Sequence, residues 1–337
     1  LGDPGVQAEL TASRRCGVHR YTFPASDEER ILIDAGHTRG APVSGHVEIA
    51  GSDTIRGTGV HQVHPAVSAV VALTQETGTT GVSTVFFVAR FSRPFDTSGT
   101  VADGKVTAGA TSADGVSVAG WAGYATTEGS AIEVRVGISF VSVEQAQANL
   151  DAECAGLTFE EVRDAAEAAW DRLLSRIEVE GGTDDARKMF YSALYHSLMQ
   201  PADYTEDGRF LSPADGFGTV VDAPDWRYYT DDWCLWDTFR TTHPLLTIVE
   251  PEVPSDMVRS LVHMYEKGGW MPKCPWNATG DSRVMTANPQ FSVVADAWQK
   301  GFRGYDGEKA YAALRKGSME DSRNALEDTL CGYFGQG

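Results

Sequence analysis

Residues 132–150 read Ile132-Glu133-Val134-Arg135-Val136-Gly137-Ile138-Ser139-Phe140-Val141-Ser142-Val143-Glu144-Gln145-Ala146-Gln147-Ala148-Asn149-Leu150, and the period of the chain changes inside them. Up to Phe140 every second residue is apolar while Glu133 and Arg135 face the other way, the alternation of a half-buried antiparallel strand. From Ser142 the period is helical, and Ser142 with Gln145 fits a capping box, in which each side chain satisfies a backbone N–H of the other. Upstream, further strands are predicted at 18–23, 30–34, 46–50, 84–91 and 116–120, separated by turn-forming clusters such as Thr97-Ser98-Gly99-Thr100. That half reads as a β-sandwich.

Downstream, Thr158 and Glu161 form a second capping box, and Val162, Ala165, Ala166, Ala169, Leu173 and Ile177 follow one helical face. Helices are predicted at 184–199, 236–242, 255–267, 289–301 and 306–316. In 289–301 the apolar stripe is Phe291, Val294, Ala295, Trp298 and Phe302. No segment after residue 145 alternates convincingly. A run of strands followed by a run of helices indicates two separate layers or domains rather than interleaved α/β units.

The chain of 337 residues exceeds the usual size of one domain and can bury a sizeable core. Its 47 acidic and 28 basic residues give a net charge of −19 with no Lys/Arg run, so nucleic acid is not an expected partner. No apolar stretch approaches the roughly 18 residues of a membrane span, and a soluble protein is expected. Five cysteines (Cys16, Cys154, Cys234, Cys274, Cys331) lie far apart, without a CxxC pair or zinc spacing. A disulfide or two is compatible with them, and the odd number leaves at least one thiol unpaired within the chain. His61 and His64 fall in a loop after Gly57-Thr58-Gly59, and His196 and His243 on helices with apolar neighbours; structural roles are expected of all four. No phosphate loop, GxSxG elbow or HExxH helix is present.

The unusual residues gather between helices. Tyr228-Tyr229-Thr230-Asp231-Asp232-Trp233-Cys234-Leu235-Trp236-Asp237-Thr238-Phe239-Arg240 packs three acids, two tryptophans, two tyrosines and an arginine into thirteen residues. Read as a plain helix start, Asp231 or Asp232 caps the first turn, Leu235 and Phe239 enter the core, and Arg240 is solvated. Read as a sugar platform, Asp237 and Arg240 pair one turn apart, with Trp233 and Trp236 offering flat apolar faces to C–H groups. A second loop, 270–282, repeats the recipe with Lys273, Trp276, Asn277 and Asp281, and Asn277-Ala278-Thr279 also fits a glycosylation acceptor. Loops on a rigid scaffold are where binding groups tend to sit.

Five ordered motifs carry a resemblance over nearly the whole chain: His19-Arg20-Tyr21-Thr22-Phe23-Pro24; Ser139-Phe140-Val141-Ser142 with Ala146 and Asn149-Leu150; Phe190-Tyr191 with Leu194-Tyr195-His196-Ser197; Trp236-Asp237-Thr238-Phe239-Arg240 with His243-Pro244-Leu245; and Ala295-Asp296-Ala297-Trp298 with Lys300-Gly301. Together they resemble glycoside hydrolase family 92, the calcium-dependent exo-acting α-mannosidases. The resemblance implies a β-sandwich domain (1–141), a helical linker (142–180) and an all-α (α/α)6 barrel-type domain (181–337), with the active site between sandwich and barrel. It also implies an inverting mechanism: a general acid protonates the leaving oxygen, a carboxylate base activates water, and Ca2+ binds the sugar.

The family's calcium ligands and base pair are expected beyond Gly337 and its glycine-rich opening before Leu1, so both domains are expected to be partial and no metal ligand is assigned here. Where the family has Gly-Glu-Thr, followed after spacers by Met, Gly and His, this chain has Gly280-Asp281-Ser282-Arg283-Val284-Met285-Thr286-Ala287-Asn288-Pro289. Asp281 stands in the acid position, one methylene shorter, and a general acid must come within hydrogen-bond reach. With Lys273 and Arg283 close by in sequence, mannose linked through a phosphodiester, as in mannose-1-phospho-6-mannose, becomes the sharper expectation, because such a leaving group departs as a stable anion. The resemblance thus implies a secreted or cell-surface α-mannosidase acting on mannose-containing glycans, N-glycans among them. Trp236, Asp237 and Arg240 would hold the terminal sugar, and Trp233, Lys273 and Trp276 would shape the rim. The rival is a carbohydrate-binding protein that has lost catalysis.

Overall fold

The computed structural model describes residues 5–38, 41–62, 82–215, 218–231, 234–276, 280–281, 285 and 287–320. It divides into two compact units, Leu1–Gln62 with Ser83–Asp171 and Val63–Val82 with Arg172–Gly337. The first carries strands β1 (Gln7–Ala12), β2 (Cys16–Phe23), β3 (Ser26–Asp34), β4 (Ala41–Ala50), β5 (Thr54–Gln62), β6 (Val82–Phe91), β7 (Thr97–Ala102), β8 (Lys105–Ala108), β9 (Ser112–Gly115), β10 (Val118–Thr126) and β11 (Ser130–Ser139). They form a seven-stranded sheet, β1-β2-β11-β6-β5-β4-β9, and a four-stranded sheet, β3-β10-β7-β8. The core lies between the sheets: Ile31, Val118 and Tyr124 of the smaller meet Val47, Ile55, Phe91, Ile132 and Val134 of the larger.

The alternating stretches are strands, with longer bounds than the sequence suggested, whereas β1, β5 and β7 to β9 escape the pattern. Strand β5 was hidden by its glycines, so His61 lies on a strand and not in a loop; His64 lies outside the described residues. At Gly57 a Cβ would stand 2.0 Å from the His46 carbonyl oxygen, and this close backbone approach outweighs the low strand propensity of glycine.

Strand β11 shows why the polar face of an alternating strand need not be a wet one. Ile132 and Val134 enter the inter-sheet core, while the opposite face is covered by helix α1 (Val143–Cys154); helix α2 (Phe159–Leu174) joins it in a core with Cys16 and Val18 of β2. At Gly137 a Cβ would meet the Ala146 carbonyl oxygen at 2.4 Å and Leu150 Cβ at 2.8 Å, so α1 lies directly on the strand. Ala146, Leu150 and Cys154 then pack with Cys16, Val18, Val88, Phe159 and Val162 in a second small core. Glu133 receives Arg20 at 2.9 Å and Arg135 at 3.1 Å, and Arg20 continues to Glu160 of α2 at 2.6 Å. The Thr158–Glu161 box forms in both directions (3.2 and 2.7 Å). Only half of the Ser142 box forms, because Gln145 turns its amide to Asn149 Oδ1 at 2.9 Å. The predicted apolar stripe of α2 is buried at Val162 but exposed at Ala165.

The second unit holds α3 (Asp184–Ser197), α4 (Leu235–Thr238), α5 (Thr242–Val249), α6 (Val253–Gly268), α7 (Pro289–Gln299) and α8 (Gly307–Met319). Three short antiparallel pairs join them: Ala202–Asp203 with Tyr229–Thr230, Arg209–Ser212 with Thr219–Asp222, and Pro275–Trp276 with Gly280–Asp281. These two- to four-residue strands are too short to show alternation. The core gathers Tyr228, Leu235, Leu246, Met257, Leu261, Met271 and Val294. Two sequence readings are corrected here. The helix expected at 236–242 is two, α4 and α5, and α7 buries Pro289, Gln290, Val293, Val294 and Ala297 while leaving Ala295 and Trp298 exposed. Val293, Val294 and Ala297 enter the core, while Trp298 lies under Arg303, 3.6 Å from its ring centroid.

Candidate active site

The thirteen-residue stretch is anchored from below. Tyr228 is fully buried and stacks on Phe210, ring centroids 3.9 Å apart, and the Tyr229 N–H donates to Ser260 Oγ of α6 at 2.9 Å. Asp231 is also fully buried. Its Oδ2 accepts from Thr238 Oγ1 at 2.5 Å and from His243 Nε2 at 3.0 Å. A carboxylate only accepts, so the His243 proton sits on Nε2. The expectation that Asp231 caps a helix is therefore corrected: the N-cap of α4 is Cys234, which makes no side-chain cap hydrogen bond, and Asp231 ties α4 to α5. Asp232 and Trp233 lie outside the described residues. His243 keeps the structural role expected of it.

Lys273 and its neighbours come to the same place. Cys234 and Cys274 form a disulfide, their Cα atoms 4.0 Å apart. The Asp231 N–H donates to the Pro275 carbonyl at 3.1 Å, and the Leu235 N–H to that of Lys273 at 3.0 Å. Asp281 pairs with Pro275 across the short hairpin, and its Oδ1 accepts the Cys274 N–H at 3.3 Å. The two aromatic loops are thus one body. The pairing of Cys234 with Cys274 is what the sequence left unassigned, although each loop holds one cysteine.

Around this staple, Trp236 is half-buried and Arg240 lies over its ring at 4.6 Å and over that of Phe239 at 4.5 Å, donating Nη1 to the Trp236 carbonyl at 2.8 Å. Arg240 does not pair with Asp237, as the sequence suggested; stacking fixes the guanidinium against its own turn instead. Asp237 is exposed. Its carboxyl is held above the usual aspartate value, first by desolvation and then by the charge of Asp231, with Arg240 opposing. Lys273 is buried, and the half-buried Trp276 has an indole N–H that finds no acceptor among the described residues. Asn277, Ser282 and Arg283 lie outside the described residues, so the glycosylation acceptor and the Arg283 part of the acid motif go undescribed. Flat rings beside a guanidinium and a carboxyl suit a neutral polyol, whose C–H face can stack while its hydroxyls are hydrogen-bonded.

Sequence comparison adds the decisive observation. The model of the glycosyl hydrolase family 92 N-terminal domain matches residues 1–139, and that of the family's catalytic domain matches residues 145–335. The chain belongs to glycosyl hydrolase family 92. The switch of period at Ser142 falls in the gap between the two family 92 matches. Among solved structures, a family GH92 α-mannosidase from Bacteroides thetaiotaomicron is 27% identical, with a TM-score of 0.84 over 97% of this chain and 42% of that one. A family GH92 inverting mannosidase from the same organism is also 27% identical, with a TM-score of 0.81 over 95% of this chain and 41% of its own. An uncharacterized secreted glycosidase of Arthroderma benhamiae is 28% identical over 194 residues, 55% of this chain and 20% of that protein. This family 92 chain spans about two fifths of the solved mannosidases.

The calcium expected from the family finds no donor set here: among the described residues no group of three or more His, Cys, Asp or Glu side chains is placed to hold a metal ion. No step is therefore derived through calcium. No helix among the described residues is long and apolar enough to cross a membrane.

Proposed function

We propose that this chain is part of a secreted, exo-acting, inverting α-mannosidase that removes terminal mannose from mannose-containing glycans. A β-sandwich domain (1–141), a helical linker (142–180) and an (α/α)6 barrel domain (181–337) belong to the same proposal. The observation that carries it is the disulfide-joined pair of loops, which sets Trp236, Asp237 and Arg240 in one body with Lys273, Trp276 and Asp281. Supporting it, a solved structure of the related Bacteroides α-mannosidase contains mannoimidazole, and another relative is described as secreted.

In this reading Trp236 and Trp276 receive the apolar faces of the sugar, Trp233 completes the rim, and Arg240 and Asp237 meet hydroxyls. Asp281 occupies the acid position. Its side chain is one methylene shorter than the family's glutamate, and its Oδ1 is engaged by the Cys274 N–H. A carboxyl held against its own hairpin reaches a leaving oxygen poorly. A leaving group that needs no proton relieves that demand, so mannose-1-phospho-6-mannose is the preferred substrate, with Lys273 beside the phosphate.

The test is mannose release by the full-length enzyme, with and without chelator, from α-1,2-mannobiose, mannose-1-phospho-6-mannose and an aryl α-mannoside. Turnover abolished by chelation and restored by Ca2+ supports the calcium-dependent enzyme. Mannobiose cleaved as fast as the phosphodiester sinks the substrate preference. Sugar binding without turnover on any of the three sinks the enzyme reading in favour of a carbohydrate-binding protein.

A further inference from the structure

Away from the stapled loops, the first unit holds two more cysteines that the proposed activity leaves unused. Cys16 opens β2 and Cys154 closes α1; both thiols are free and buried. They belong to the same small core, with Val18, Leu150 and Phe159. Cys16 is the cross-strand partner of Gly137, the residue whose missing side chain lets α1 lie on the sheet. Ala146, Leu150 and Cys154 follow at intervals of one turn along the buried face of that helix.

The end of α1 is pinned at the same point. Glu153 Oε2 accepts from Ser13 Oγ at 2.6 Å and from the Arg15 N–H at 2.8 Å, while the Ser13 N–H donates to the Cys16 carbonyl at 2.8 Å. Ser13 Oγ stands 3.7 Å from Cys154 Sγ, and Arg135 Nη1 donates to the Cys154 carbonyl. Ser13 Oγ also donates to the Cys16 carbonyl at 3.5 Å, so one hydroxyl touches both cysteines. Two buried thiols of one small core, on either side of one hydroxyl and carried on elements fixed to each other by independent hydrogen bonds, are arranged for a bond between them.

We propose that Cys16 and Cys154 are the two halves of a second disulfide, closed when the protein meets a disulfide donor in an oxidising compartment. Cys154, as thiolate, attacks one sulfur of the donor, forming a mixed disulfide and releasing the first donor thiol. Cys16 then loses its proton, attacks Cys154 Sγ and expels the second donor thiol. The protein gives up two electrons and two protons, and the donor is reduced to two thiols. The direction of attack follows from the two environments. The neighbouring Cys154 and burial push the Cys16 thiol up, while Cys16 and the Ser13 hydroxyl pull Cys154 down. A cavity of about 280 Å³ lined by Arg90, Glu133, Arg135, Cys154 and Gly156 adjoins the Cys154 end of α1.

The experiment equilibrates the full-length folded protein with glutathione buffers, from wholly reduced to mostly oxidised. It then blocks remaining thiols with iodoacetamide in denaturant and maps tryptic peptides. The expected result in the oxidised buffer is residues 16–20 joined to residues 136–163, two hydrogens lighter than the sum of the free peptides. In reduced buffer the same peptides carry one label each. Labels on both cysteines throughout, or a link from either to another cysteine, overturns the proposal. The mapping needs no variant and reads the pair whether or not the enzyme turns over mannosides.

Discussion

Replacing Cys234 and Cys274 together by serine removes the covalent tie between the two loops and leaves no stray thiol. The bond closes a segment of 40 residues. The chain-entropy treatment of such a loop assigns about 4 kcal/mol at 25 °C to the cross-link. What remains are the hydrogen bonds from Asp231 N–H to Pro275 and from Leu235 N–H to Lys273, each contributing about 1 kcal/mol net. They cannot hold the loops against the entropy of opening as the disulfide does. The assay is amide hydrogen exchange at Asp231 and Leu235, whose donors report the junction directly. At about 1.4 kcal/mol per tenfold, exchange should accelerate up to about a thousandfold, while amides of β11 keep their rates. If the sugar platform depends on the staple, KM for mannosides rises in the same variant with a smaller change in kcat. Unchanged exchange at both amides would refute the argument, because it would mean that the hydrogen bonds and the buried Asp231 hold the loops alone.

Three other perturbations bear on the same account. Asp231→Asn replaces the charged acceptor of Thr238 and His243 by a neutral one; hydrogen bonds to charged groups contribute about 1.5–3 kcal/mol, and the urea midpoint should fall accordingly. Arg240→Ala removes a cation stacked on Trp236 and Phe239; with cation–π stacking worth about 1 kcal/mol at an exposed site, KM should rise about fivefold, and no change would remove Arg240 from the platform. Hydrogen bonding from Arg20 holds the Glu160 carboxyl near 2, below its usual 4.5. The unfolded chain therefore binds more protons between those values, so stability is complete above pH 4.5 and is lost as the pH falls toward 2. Urea midpoints across that range should show the slope, and Glu160→Gln should flatten it.

The split of the chain into strands then helices was legible because each signal is local. Alternation in Ile132 to Phe140 and the change of period at Ser142 need no partner to be read. Where contacts across the chain override local preference, the reading failed. Strand β5 is glycine-rich because its partner β4 approaches closely, and the face that α7 buries is set by Val293, Val294 and Ala297 entering the core. Among the site residues, Trp236, Asp237, Arg240, Lys273, Trp276 and Asp281 stand out by composition, whereas the disulfide between their loops was not assigned, and the plain helix reading offered Asp231 or Asp232 as a cap where Asp231 joins two helices.

Which residue types gather in two loops of the helical half can be read without any fold, since aromatic and ionic density is a property of the string. So can the place where the period of the backbone changes, because side-chain direction follows from periodicity alone. That a disulfide makes those loops one body, that Asp231 is an anchor between helices, and that the polar face of β11 is roofed by α1 emerge with the folded chain. Each of these depends on residues that are distant in the chain becoming neighbours, and hydrogen bonds, a disulfide and close packing act only at the distances that folding creates.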